Sequence, residues 1–246
     1  MRVEASAPRN TATRTPAWRL AAATVVAAAL LTGSGCGSLA QAQQTVGRAD
    51  LVNDLAGRLT AAGELTYTAE YQLRGGGAGA IAQAQEPLRT TYSYPDGELT
   101  VTVEATTECE RAGAQTTCLL TAPPAPGANA TARLFAEPGE LGLVPPALVI
   151  GLLTAAGLDA DAVIEQKDTT IAGEHATCVS VEAVDNAAAS AFEACITTAG
   201  VLGSFSGAVN GADVDMTMTR YLETVAPYAF SVPAGAAVVD RRSGAK

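Results

Sequence analysis

Apolar side chains recur at helical spacing between residues 50 and 62. In DLVNDLAGRLTAA the apolar positions are three or four residues apart, at Leu51, Leu55, Leu59 and Ala62. Asp50 stands where an N-cap is needed, and Gly63 follows as a stop. This pattern predicts an amphipathic helix.

From residue 64 the period changes to two. The segment ELTYTAEYQLR alternates polar residues with an apolar set, Leu65, Tyr67, Ala69, Tyr71 and Leu73. It therefore predicts a half-buried strand. Turn residues at 75–77 and 95–97 divide the following chain into strands over 80–85, 88–94, 98–106 and 115–122.

An uncharged segment lies in the middle of the chain. LGLVPPALVIGLLTAAGL, residues 141–158, has no charged side chain, and Pro145 and Pro146 suit a helix start. The 13 residues that remain would form a helix about 20 Å long, which is too short to cross a bilayer. A helix that is apolar all round is expected to be buried in protein or to face an apolar ligand.

Further period-two segments follow Asp159, at 163–173, 175–183, 190–198, 200–209 and 213–222. The count is about nine strands and two main helices, antiparallel throughout. This predicts an α+β fold, a large curved antiparallel sheet with the helices on one face. We expect one domain over residues 48–240 and a C-terminal tail over 241–246.

The N-terminal segment predicts export. Four arginines precede residue 20, against a single Glu4, and LAAATVVAAALL follows at residues 20–31. A basic start, a short apolar run and a small-residue site are typical of a secretory signal.

The residues after this run, TGSGC at 32–36, resemble the lipobox of bacterial lipoproteins, although Gly33 stands where a leucine is common. The resemblance implies a signal peptide over 1–35 and a diacylglycerol, with palmitate-like chains, on Cys36. It also implies a position at the cell membrane on the extracytoplasmic face. The polar residues that follow, within 36–47, predict a flexible tether. A secreted protein with a spare Cys36 is the alternative.

Four other cysteines are present, Cys109, Cys118, Cys178 and Cys195. An even number in an exported chain favours disulfides, and four cysteines allow three pairings. Proximity in sequence favours Cys109–Cys118 and Cys178–Cys195. A four-cysteine zinc site is the alternative, but such sites usually show closer pairs, so we predict no metal.

The net charge of the chain limits the classes of partner that it can bind. The chain from Cys36 onward has 11 basic and 24 acidic side chains, a net charge of about −13. Such a surface repels nucleic acid. The membrane, reached through a lipid on Cys36, is the expected partner, and the sequence identifies no protein partner.

Residues typical of catalysis are scarce. His175 is the single histidine, so a multi-histidine metal site is excluded. GSFSG at 203–207 places Phe205 where a nucleophile elbow needs serine. No phosphate-binding loop is present. We therefore expect no enzyme activity, no catalytic residues and no cofactor.

Apolar surface remains as the candidate site. Residues of the uncharged helix would roof a cavity, and strand residues would floor it, with adaptable methionines among them. The candidate lining residues are Leu65, Tyr67, Tyr71, Leu73, Leu148, Val149, Leu152, Leu153, Val214, Met216 and Met218. The alternative, which we favour, is that the same residues form a filled core.

The acylated cysteine, the helix, the long meander, the uncharged helix and the terminal AFSVPAGAAVVD together resemble actinobacterial lipoproteins of the LolA/LppX/LprG-like group. The resemblance implies a half-open β-barrel whose cavity holds acyl chains of lipids or glycolipids. One hypothesis is therefore a lipid-anchored lipoprotein that binds or carries an apolar or acylated ligand. The other is a non-catalytic structural or interaction lipoprotein of the cell envelope with a filled core.

Overall fold

The computed structural model describes residues 35–125 and 131–242, and side chains from residue 47 onward except those of residues 132 and 133. The predicted signal peptide, 1–35, therefore lies outside the described residues save for its last one, and the side chain of Cys36 is also outside them. Contacts group the chain into two units, Met1–Ala42 and Gln43–Lys246. The first described helix begins in the first unit, and all other described elements belong to the second.

Four α-helices and twelve strands make up the described chain, together with short 3-10 helices at Ala62–Glu64, Arg74–Gly76 and Pro227–Phe230. The helices are α1 Gly35–Ala61, α2 Ala132–Ala136, α3 Pro138–Leu141 and α4 Pro146–Leu158. The strands are β1 Tyr67–Leu73, β2 Ala78–Gln85, β3 Leu88–Tyr94, β4 Gly97–Thr102, β5 Thr106–Ala112, β6 Gln115–Thr121, β7 Val163–Ile171, β8 Glu174–Glu182, β9 Phe192–Thr197, β10 Leu202–Val209, β11 Ala212–Leu222 and β12 Ala237–Asp240. None of the described helices is long and apolar enough to cross a membrane.

All twelve strands belong to one sheet in the order β12-β6-β5-β4-β3-β2-β1-β11-β10-β9-β8-β7. The two end strands do not pair with each other, so the curved sheet is not closed. This confirms the predicted α+β class and agrees with a half-open barrel. The sheet is mixed rather than wholly antiparallel, because β12 runs parallel to β6.

The described chain has twelve strands where the sequence predicts about nine; the pattern misses a division of one strand in the first half of the sheet and the strand at the end of the chain. The segment predicted as one strand over 98–106 divides at residues 103–105, where glycine and proline are absent. The Thr102 side chain makes this turn, since its Oγ1 accepts hydrogen bonds of 3.1 Å from the backbone N–H groups of Glu104 and Ala105. β12 follows a proline- and glycine-rich segment, and the sequence pattern does not predict it.

Both main helices pack on one face of the sheet, which we call the inner face. Val52, Leu55 and Leu59 of α1 and Leu153 of α4 belong to the same buried cluster as the inward residues of β1 and β8–β11. The opposite, outer face is crossed by residues 223–236, which we call the C-terminal strap. The Thr68 hydroxyl on β1 holds this strap by donating a 2.9 Å bond to the Thr224 carbonyl.

The helix α1 begins at Gly35, so the structure shows helix where the sequence predicts a flexible tether over 36–47. Half of this stretch is Leu39, two alanines and three glutamines, residue types with high helix propensity.

Helix cover divides the sheet into three parts. The covered half is β1 and β8–β11, below α1 and α4, with β7 as its exposed edge strand. The open half is β4–β6 and β12. Within it Leu99 of β4 packs with Leu134 of α2 and Leu141 of α3, whereas β5 and β6 bury one residue each, Cys109 and Cys118. The seam is β2 and β3, between the two.

Candidate functional site

The residues predicted to line a cavity lie together, but they fill the space between sheet and helices. Ten of the eleven are buried in the main core, and Leu65 packs against it from a partly buried position. The roof residues Leu148, Val149, Leu152 and Leu153 and the floor residues Tyr67, Tyr71, Leu73, Val214, Met216 and Met218 belong to that one cluster. At these positions the structure shows a packed core.

Tyr71 shows how the core is closed. It is 2% exposed, and its hydroxyl donates a 2.8 Å hydrogen bond to the Leu202 carbonyl. Burial raises the pKa of the Tyr71 phenol well above its ordinary value, so the group remains a neutral donor. Its polar atom is satisfied inside the fold and is not offered to a ligand.

A pocket of about 220 Å³ lies beside this core, at the seam. Its walls, which are mostly apolar, come from the end of α1, the first turns of α4, β1–β3 and the turn before β10. The lining residues are Leu59, Thr60, Ala62, Gly63, Tyr67, Ile81, Gln83, Tyr92, Pro146, Ala147, Ile150, Gly200, Val201 and Leu202. Of the predicted lining residues, Tyr67 alone borders this pocket.

Two tyrosine hydroxyls provide the polar groups of the pocket. Among the described residues no hydrogen-bond partner is found for the Tyr67 or the Tyr92 hydroxyl, in contrast to that of Tyr71. Burial raises the pKa of both phenols, that of Tyr92 to about 12, and the charge on Tyr92 would raise that of Tyr67 further. Both hydroxyls are therefore neutral donors at ordinary pH and can bind an uncharged acceptor.

Gln83 holds the pocket wall in place. Its side-chain amide donates to the carbonyls of Ala62, Gly63 and Leu65, at 3.2, 2.7 and 3.0 Å. These carbonyls belong to the turn that follows α1, and that of Ala62 also accepts a 3.1 Å bond from the Leu65 N–H. Gln83 thus fixes the end of α1 against β2.

Gly200 allows the turn before β10, on the other side of the pocket, to lie close to the end of α1. Its φ is +84°, and a Cβ at this position would collide with the Arg58 carbonyl at the end of α1. Only glycine adopts this conformation at low cost and leaves room for the helix. The turn therefore contacts α1 directly and closes one side of the pocket.

Sequence reasoning missed Gln83 and Tyr92, although a signal existed. The segment AIAQAQ puts Gln83 at an inward position of an otherwise apolar strand, level with Ile81. A polar side chain there predicts a polar partner inside the fold. Tyr92 faces inward on β3 by the same alternation, but nothing in its pattern separates a pocket residue from a core residue.

Two disulfides, Cys109–Cys118 and Cys178–Cys195, join neighbouring antiparallel strands. Each pair is directly opposed in the sheet register, which confirms the pairing that sequence proximity favours. A carboxylate oxygen of Glu193 lies within 4.8 Å of the sulfurs of Cys178 and Cys195. Because both sulfurs are bonded and Glu193 pairs with Lys167 at 2.8 Å, these groups are not free to bind a metal ion.

His175 is exposed at the start of β8, away from the pocket lining.

Comparison with known proteins gives similarity of structure alone. No protein-family model matches the chain, and no curated protein matches it. An uncharacterized conserved protein from Thermus thermophilus is similar to it, with 13% identity, a TM-score of 0.43, and coverage of 76% of this chain and 98% of the other. MucB is similar at 17% identity and a TM-score of 0.43, over 76% of this chain and 64% of MucB. At these values neither similarity carries an argument about function.

Proposed function

We propose that this protein is a lipid-anchored lipoprotein of the extracytoplasmic face, and that it binds a small apolar ligand in the seam pocket. The observation that carries the binding proposal is the pair of unpartnered tyrosine hydroxyls, Tyr67 and Tyr92, in an otherwise apolar wall. Ligand pockets are typically apolar with a few convergent polar groups. The two disulfides support an oxidising compartment.

The pocket dimensions limit the ligand. Pockets for drug-sized ligands are about 300–1,000 Å³, and this one is about 220 Å³. A single ring or a short chain fits, with one oxygen acceptor for the two phenols. A multi-chain lipid does not fit the pocket in this conformation.

Native mass spectrometry of the untagged 37–246 fragment, purified gently from its own host, tests ligand binding. We expect a discrete added mass that chloroform extracts and that is absent after refolding. The variant Ile150→Trp, which fills the pocket, is expected to lose this mass. Leu158→Trp is the matched control, because Leu158 lies on the same helix but is 84% exposed.

A bare mass for the fragment from its own host would contradict ligand binding. Retention of the added mass in Ile150→Trp would place the ligand elsewhere.

Lipid anchoring is tested separately at Cys36. We expect the wild-type chain to partition into detergent and to have a diacylglycerol mass on its N-terminal peptide, since two acyl chains hold a protein stably at a membrane. Cys36→Ser should partition into the aqueous phase. An unmodified Cys36 in the mature wild-type protein would contradict the anchor and leave the pocket unaffected.

The second function, a non-catalytic structural or interaction lipoprotein, is favoured by a different observation. The predicted roof and floor residues contact one another in a packed core, and apolar side chains such as Leu158 and Val163 are exposed. Exposed apolar surface is typical of docking sites. A bare mass together with a partner cross-linked through the α4 surface would select this function.

A further inference from the structure

A second pocket lies on the outer face, below the start of the C-terminal strap, and it is separate from the seam pocket. Its volume is about 480 Å³. The sheet contributes Thr66, Ala84, Gln85, Glu86 and Arg89, and the strap contributes Val225, Pro227 and Phe230. Its lining shares no residue with that of the seam pocket.

Arg89 is the unusual group of this pocket. Among the buried side-chain nitrogen and oxygen atoms of the described residues, the Arg89 Nε is the one without a hydrogen-bond partner. A buried donor on a charged group that lacks a hydrogen-bond partner is costly, because its lost hydration is not replaced. No carboxylate is found within ion-pair distance of the guanidinium in the described chain, although acidic residues outnumber basic ones by 25 to 15.

Several other described cations contact an oxygen. Arg74 pairs with Asp213 at 2.6 Å, Lys167 with Glu193 at 2.8 Å, and Arg111 donates to the Pro95 carbonyl at 3.0 Å. Arg89 instead stacks on the Phe230 ring, with its guanidinium carbon 4.6 Å from the ring centre. This contact orients the guanidinium plane and leaves its hydrogen-bonding edge without an acceptor.

A guanidinium held over a ring keeps a fork of N–H groups that matches a carboxylate. Ala84, Val225 and Pro227 give part of the mixed lining an apolar character, which suits an apolar group attached to the anion. Glu86 on the rim disfavours a second negative charge on the ligand. The geometry points to a binding site for a monoanionic carboxylate with a small apolar group, held by Arg89 between the sheet and the strap.

The site goes beyond the proposed function, because it uses neither the seam pocket nor the lipid anchor. A small organic acid and the end of a peptide both provide this carboxylate. The Arg89 Nε is buried, so binding of either ligand requires the strap residues beside it to shift enough to expose it, while Phe230 keeps the guanidinium oriented. The strap has no buried residue in the described chain between residues 223 and 236, so such a shift disturbs no core contact.

Arginine Nε–H resonances of the full chain, with both disulfides formed and arginine labelled with nitrogen-15, test the site. Benzoate is the free-acid probe, and N-acetylphenylalanine presents its carboxylate as a chain end does. We expect one or both to shift the Arg89 resonance saturably, and the probe that binds identifies the source of the carboxylate. Benzamide, the neutral match of benzoate, should leave the resonance unmoved.

Arg89→Lys keeps the charge but removes the fork and the Nε–H. Binding to this variant is followed through the Val225 methyl signals. The substitution should weaken binding of the carboxylate that binds the wild type by about tenfold or more. Arg74→Lys is the matched control on a paired arginine and should bind as the wild type does. If Arg89→Lys fails to fold, Phe230→Leu replaces it and should weaken binding while the Arg89 resonance persists.

Three results would overturn the site. They are an Arg89 resonance that neither carboxylate moves, a resonance that benzamide or chloride moves equally, and unchanged affinity in the folded Arg89 or Phe230 variant.

Discussion

The covered and open halves of the sheet are stabilised in different ways, although each contains one cross-strand disulfide. In the covered half β9 buries five of its six residues, and the Phe192 and Phe205 rings stack at 6.0 Å. In the open half β5 and β6 bury only the half-cystines Cys109 and Cys118. The same covalent link is therefore an addition to a large core in one half and the main buried contact in the other.

The seam pocket lies between the covered half, which has a large core, and the open half, in which few residues are buried. Core packing ends at Tyr71, whose hydroxyl is satisfied, and the pocket begins at Tyr67 and Tyr92, whose hydroxyls have no partner among the described residues. A cavity tends to occur where helix cover stops, because the sheet extends further than the side chains that would fill its inner face.

The largest contrast is expected from matched leucine truncations. Leu153→Ala in the covered half should lower the free energy of unfolding by about 3–5 kcal/mol, because Leu153 is fully buried and the substitution leaves a cavity. Leu119→Ala on β6 in the open half should cost about 1 kcal/mol or less. Urea unfolding of both variants measures the difference, and equal costs would contradict the division into halves.

Removing the disulfides one at a time should separate global from local stability. The Cys178–Cys195 bond joins residues 17 apart in sequence, so replacing both cysteines with alanine should cost about 3 kcal/mol of global stability. The pair Cys109→Ala and Cys118→Ala should instead free the β5–β6 hairpin locally, with fast amide exchange there while the β8–β11 amides stay protected. Amide hydrogen exchange by mass spectrometry distinguishes these outcomes, and uniform loss of protection in both variants would show a single cooperative unit.

Two tyrosine substitutions should define the boundary between core and pocket. Tyr71→Phe removes the 2.8 Å bond to the Leu202 carbonyl, and we expect a loss of about 1–3 kcal/mol. Tyr92→Phe removes a hydroxyl that has no partner in the described chain, so stability should be nearly unchanged while ligand retention falls. Thermal unfolding and native mass spectrometry of the same samples test both points, and a large stability loss in Tyr92→Phe would assign that hydroxyl to the core.

The smallest effect is expected at alkaline pH. Burial raises the pKa of folded Tyr92 from 10.0 to about 12, so the folded state binds the phenol proton more tightly than the unfolded chain. This contribution to stability is complete below about pH 10 and is lost as the pH rises through about 12. The unfolding free energy of wild type should therefore fall more steeply across this window than that of Tyr92→Phe, and parallel curves would contradict the assignment.

Much of the fold could be predicted because burial leaves a period in the sequence. The alternation at Tyr67, Ala69 and Tyr71 predicts β1, and the prolines at 145 and 146 predict the start of α4. The 103–105 turn and β12 were missed because the first uses a threonine side chain in place of glycine or proline, and the second depends on a partner strand distant in sequence.

The candidate site was less predictable for a physical reason. A leucine or methionine that faces inward contributes the same period whether it meets another side chain or a ligand. Whether Leu148 and Met216 line a cavity or fill a core depends on how far α4 descends onto the sheet, and no local pattern encodes that distance. The polar outlier Gln83 was the one local clue, since an inward amide must find carbonyls to bind.

The parallel pairing of β12 with β6 protects an edge of the sheet. Ala237 lies beside Thr117, 120 residues earlier in the chain, so this contact closes a very long loop. Without β12 the outer edge of β6 is unpaired and able to recruit another chain. We expect chains that lose β12 by proteolysis to polymerise through β6, so the last strand acts as a safeguard against aggregation.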